Sequence, residues 1–178
     1  LNGGTLADPN TLTGGTFLWN GGTIGAAAIL NVNVGVDVTV NSAGTVYAYG
    51  TINNSGTWVH AGGNLQGTGM FNVSVTGVVN VTGTGTWQPS VYNLGGFNQL
   101  CACTFAHTGL FSNLGSGSVY VGAGQFWTSG GFTNAGLIST SVTAYFSVQG
   151  GTFTNNTGSD VSGAQVVIAG GNVIVNAT

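Results

Sequence analysis

The sequence contains no lysine, no arginine and no glutamate. Its 178 residues carry three carboxylates, Asp8, Asp37 and Asp160, two histidines, His60 and His107, and a formal charge of −3. Without a cation the chain cannot make the phosphate contacts that nucleic-acid binding requires, so that class of partner is excluded. Charged residues make up 2% of the chain, against about a quarter in an ordinary globular protein. Solubility therefore rests on Asn, Thr, Ser and Gln, colloidal repulsion is weak, and self-association is expected. No apolar run approaches the ~18 residues of a spanning helix without a glycine or polar interruption, so no membrane span is expected. The scarcity of charge does not mean disorder, because 42% of the residues are hydrophobic and Val, Ile, Phe, Tyr and Trp are plentiful. The chain begins at Leu1 inside a Gly-Gly-Thr pattern and is expected to be a processed or partial segment of something longer.

What the chain has in abundance is glycine, 34 residues of it, arranged as punctuation. Phe111-Ser112-Asn113, Phe132-Thr133-Asn134 and Phe153-Thr154-Asn155 recur at about 21 residues, and Gly130-Gly131, Gly150-Gly151 and Gly170-Gly171 mark the same rhythm. Counting back from each glycine pair, Phe126, Phe146 and Val166 hold one equivalent position, and Thr128, Val148 and Ile168 the one two residues later. Residues two apart share a face of a strand. Each repeat therefore reads as one coil of a β-solenoid, with these positions stacked inward and Asn113, Asn134 and Asn155 stacked at a corner. From Leu30 to Val40 strict alternation predicts one half-buried strand. Gly44, Gly50, Gly56 and Gly62 recur at six, as in a left-handed hexapeptide β-helix, but the hexad does not persist. Gly85-Thr86-Trp87 echoes Gly56-Thr57-Trp58.

No helical periodicity occurs, so the fold class is all-β: a single parallel β-helix over 1–178, right-handed favoured, of roughly eight or nine coils rising about 4.8 Å each. The alternative is a β-sandwich or jelly roll, which would show turns without register-keeping repeats. The segment 88–108, with Pro89, Cys101, Cys103 and His107, interrupts the rhythm and is expected to be an irregular coil, an inserted loop or a seam.

The repeat grammar of Gly150 to Gly158, of Thr51 to Thr57 and of the Leu30–Val40 alternation resembles bacterial surface β-solenoids of the filamentous-haemagglutinin and autotransporter-passenger type. That resemblance implies a secreted or cell-surface protein acting in adhesion or as a fibre, and it carries no catalytic motif.

The chemistry-bearing residues are few. Three aspartates far apart in sequence do not supply the paired carboxylates of a glycosidase, and no cation stands by to assist a lyase, so no enzyme activity and no cofactor are expected. Cys101 and Cys103 are read as buried small residues, as a disulfide within the chain or between subunits, or as metal ligands with His107. His60 is expected on the solvated surface. Trp19, Trp58, Trp87 and Trp127 would form a sugar-stacking platform if they faced outward, and core filling is the competing use. Thr82, Thr84 and Thr86 form one Thr-x-Thr row of the kind ice binding would need repeated. Sequons at Asn53, Asn72, Asn80, Asn155 and Asn176 allow glycosylation in a secreted context. The expected role is an extracellular structural subunit that binds itself head to tail as a filament. The alternative is an adhesin or carbohydrate-binding module of a longer surface protein, with glycans as partners.

Overall fold

The computed structural model describes residues 1–163 and 165–176, and among them there are strands and turns but no helix. Every strand pairing is parallel. Among the described residues no helix crosses between parallel strands, so the chain itself must wind, returning to each strand one coil later. That excludes a sandwich or jelly roll, whose sheets are antiparallel.

The solenoid is a three-sided prism. The third face is a sheet of nine strands in strict sequence order, which sets the count at nine coils. Its strands are Asn10–Leu12, Ile29–Val32, Thr51–Asn54, Met70–Val73, Ser90–Asn93, Phe111–Asn113, Phe132–Asn134, Thr152–Asn155 and Asn172–Val175. The first and second faces join in one larger sheet, because the strands Val36–Ala48 and Thr57–Gln66 each bend across the corner between them. In later coils the same corner is an open turn, as between Gly96–Gln99 and Thr104–His107 or between Ser118–Val121 and Gln125–Thr128.

Register places like on like. Phe111 pairs with Phe132 and Phe132 with Phe153, while Asn113, Asn134 and Asn155 align in the same strands. On the second face Phe105, Phe126, Phe146 and Val166 form one inward column, and His107, Thr128, Val148 and Ile168 the next. The Phe111 and Phe132 rings stack 4.7 Å apart at 8°, and Phe126 and Phe146 stack 5.4 Å apart at 12°. Between faces the rings meet edge-on, as Phe132 does with Phe146 at 5.0 Å and 80°. Such pairs add about 0.5–1.5 kcal/mol each beyond the area they bury.

The glycine hexad marks the sides of the prism. Gly44 and Gly62 lie at the bends of the two long strands, Gly50 at the corner into the third face and Gly56 at the corner out of it. A Cβ on Gly50 would collide with the carbonyls of Ala28 and Gly25, and one on Gly56 with those of Val36 and Asn33. Consecutive coils therefore touch backbone to backbone at these corners. Later coils have sides of unequal length, which is why the spacing of six fades.

Two expectations are corrected. The Leu30–Val40 alternation is two strands, Ile29–Val32 and the start of Val36–Ala48, with a corner between them where Gly35 takes φ 80° and Val34 is 68% exposed. The echo of Gly56-Thr57-Trp58 in Gly85-Thr86-Trp87 falls on different faces, with Trp58 in the first-face column with Val38 and Val79 and Trp87 in the second-face column with His107. The expected irregularity over 88–108 is confined to the sequence pattern: the strands Ser90–Asn93, Gly96–Gln99 and Thr104–His107 pair in register on both sides. The rhythm is lost because Gln99 and His107 occupy inward positions that the neighbouring coils fill with Val81 and Val121 and with Trp87 and Thr128.

Replacing Phe132 with Ala removes a ring that touches Phe111, Phe146 and Phe153. It should lower the unfolding free energy by about 3–5 kcal/mol, whereas outward-facing Thr133→Ala should stay within about 0.5 kcal/mol. Urea denaturation followed by circular dichroism checks both.

Candidate functional site

Most of the polar side chains inside the prism stand at the end of a strand or at its bend and hold the turn that follows, whereas Thr128 is buried in the same columns without a partner. Asn93, Asn113 and Asn134 are the last residues of their third-face strands and are fully buried. Asn93 Nδ2 donates to Asn113 Oδ1 at 2.9 Å and to the Ser118 carbonyl at 3.0 Å. Asn113 Nδ2 donates to Asn134 Oδ1 at 2.8 Å and to the Leu137 carbonyl at 3.0 Å. Asn134 Nδ2 donates to Asn155 Oδ1 at 2.8 Å. Each amide thus spends one proton on the next coil's asparagine and another on the backbone across the corner. Asn54 bonds the Val78 carbonyl at 3.2 Å in the same way. Because donation runs toward the later coils, the first carbonyl of the ladder, Asn93 Oδ1, has no partner.

Gln99, His60 and His107 repeat the device at other corners. Gln99 closes its first-face strand and its Nε2 donates to the Cys103 carbonyl at 2.9 Å. The expectation of a solvated His60 is overturned: it occupies the inward column between Val40 and Val81 and is fully buried. Its Nε2 lies 3.0 Å from the Gly63 carbonyl, and His107 Nε2 lies 3.0 Å from the Pro89 carbonyl. A carbonyl only accepts, so Nε2 carries the proton in both rings. Burial pushes both imidazoles down to a pKa of about 4, against a smaller raising effect of the backbone bond.

The structure joins Cys101 and Cys103 in a disulfide, with Cα atoms 5.1 Å apart, at the turn that Gln99 pins. His107 is buried on the second face and bonded to Pro89, so it does not meet the thiols, and no group of metal-ligating side chains forms among the described residues. The tryptophan platform is also overturned. Trp19, Trp58 and Trp87 are wholly buried and pack edge to face, with Trp58 6.1 Å from Trp19 and 6.5 Å from Trp87. Only Trp127 of the four reaches the surface, on the outward row of the second face. Thr82 and Thr84 fall in a turn and Thr86 in a strand, so they do not form a flat row.

Asp37 and Asp160 point outward from one column of the first face but stand six coils apart, about 29 Å at the strand spacing. That is far beyond the reach of a carboxylate pair. Among the sequons, Asn53, Asn72 and Asn80 lie on outward rows and Asn155 at the end of the buried ladder, all half-buried and engaged in amide hydrogen bonds. Asn176 is exposed, and the rest of its sequon lies outside the described residues.

Both histidines titrate lower in the folded chain than in the unfolded one. Their contribution is complete above the unfolded value of 6.5 and is lost as the pH falls from there to about 4. Each is worth on the order of 3 kcal/mol over that window. The melting temperature should fall steeply between pH 6.5 and 4, and the variant carrying His60→Leu and His107→Leu should flatten that fall. No family model, no curated protein and no solved structure matches this chain, so its chemistry must be read from its own coils.

Proposed function

We propose that the protein is an extracellular structural subunit that assembles end to end into a filament or surface fibre. The observation that carries this reading is the register of the stack: nine coils pair in parallel, like on like, so each coil presents to the next the same rows it receives. A parallel stack of this kind extends by adding a further coil in register, and head-to-tail contact between unlike faces propagates without closing. The nearly uncharged surface offers little repulsion against such stacking. A disulfide at Cys101–Cys103 suits an oxidising, extracellular setting. Kinship with bacterial surface β-solenoids belongs to this same proposal. The alternative of a carbohydrate-binding module no longer has its tryptophan platform.

Electron microscopy of undiluted protein should show filaments with an axial repeat of about 43 Å, nine coils at the strand spacing. Val173→Lys, which places a charge in the inward column of Phe132, Phe153 and Val173, should abolish them. A stable monomer at all concentrations in analytical ultracentrifugation would overturn the reading.

A further inference from the structure

The outward row of the third face begins as a second, surface ladder of amides. Asn72 Nδ2 donates to Asn53 Oδ1 at 2.8 Å, Asn53 Nδ2 donates to Asn31 Oδ1 at 2.8 Å, and Asn31 Nδ2 reaches Thr11 Oγ1 at 3.4 Å. One coil later the row changes chemistry, for Tyr92 stands in register with Asn72. Donation in this ladder runs toward the first coil, opposite to the buried one. Asn72 Oδ1 is therefore the terminal acceptor, and it lies on the side where Tyr92 begins.

At this switch lies a cleft of about 410 Å³, whose lining includes Met70, Asn72, Ser74, Tyr92, Leu94 and Leu114. Its volume falls in the range of small-molecule clefts. Met70 and Leu94 are exposed at 41% and 38%, and Tyr92 is half-buried. Ser74 Oγ donates to Ser55 Oγ at 3.0 Å, so what the serine offers the cleft is lone pairs. The site thus combines an aromatic side chain, apolar walls and a cluster of neutral acceptors, with no charged residue in its lining.

We propose that this cleft binds a sugar ring of a neutral glycan, the apolar face of the ring lying on Tyr92 and its hydroxyls donating to Asn72 Oδ1 and Ser74 Oγ. A ligand for these atoms must carry several donors and an apolar face together, which a pyranose does. A lipid tail or apolar peptide side chain would cover both acceptors without supplying a donor, a loss that disfavours it. An acidic glycan finds no lysine or arginine to meet its carboxylates or sulfates. This goes beyond the structural role, which requires only the ends of the rod, and it replaces the buried tryptophans with a different set of residues.

The test is calorimetric titration of the unglycosylated full chain with neutral cello-, malto- and chito-oligosaccharides, with oligogalacturonate as the acidic comparison. At least one neutral oligosaccharide should bind and oligogalacturonate should not. Tyr92→Ala should weaken binding about tenfold, and Tyr92→Phe, which keeps the ring, should stay within about twofold. Asn72→Ala should weaken it about fivefold by removing the acceptor. Trp127→Ala should leave it unchanged, and melting curves should show every variant folded. Absence of binding by all neutral probes, or binding that survives Tyr92→Ala, would overturn the proposal. So would a Tyr92→Ala variant whose only defect is in assembly, because the occupant of the cleft would then be a second copy of the chain. Filament formation by the wild-type chain, read separately by microscopy, bears on the structural role alone.

Discussion

A chain that turns three corners in every coil must satisfy the backbone groups released at each corner, and here it must do so without a single cation. The solution is a buried, neutral side chain at the end of the strand or at its bend. Asn93, Asn113 and Asn134 reach across the corner into the first face, His60 and Gln99 hold the bend into the second, and His107 holds the bend into the third. Each bond replaces water that the corner loses on stacking, where an unpaired carbonyl would be penalised by about 1–3 kcal/mol. The apolar columns can pack like on like only because the corners are fixed to the same register.

Like-on-like stacking also accounts for the composition. A residue on an outward row has its equivalents one coil above and below, at about 4.8 Å. A repeated charge there would repel its neighbour by about 1 kcal/mol even in water, and repeated along nine coils the penalty accumulates. An amide in the same place donates to the amide of the next coil instead, as Asn72, Asn53 and Asn31 do on the third face and Asn98 and Asn80 on the first. The charges that remain avoid stacking: Asp37 has Thr16 and Thr57 as its register neighbours, and Asp160 has Leu137. The result is a surface that is almost free of charge.

The fold was legible where the inward positions repeat in kind. The Phe111, Phe132 and Phe153 spacing led directly to their observed register, because identical residues at one period must stack if the chain coils. It was less legible where inward positions vary. His60 reads as a surface residue because nothing in a run such as Trp58-Val59-His60 separates an inward polar group from an outward one, except that Trp58 two residues earlier shares its face. The same alternation rule buries Trp58 and Trp87, and it would have placed Asn93 with Asn113 had Val91-Tyr92-Asn93 been aligned with Phe111-Ser112-Asn113. The cleft at Tyr92 had no signal of its own in the chain, since it arises where an amide row meets an aromatic one coil later. That juxtaposition exists only after winding.

The side-chain amide protons of Asn113 and Asn134, followed by NMR during exchange into deuterium oxide, test most directly whether a buried, in-register ladder holds the corners. Exchange slowed to the rate of the surrounding strand amides, with a contact between the Asn113 amide protons and the Asn134 side chain, is the expected result. Exchange of both amides at the rate of exposed asparagine, with no such contact, would contradict the ladder and with it the register of the stack.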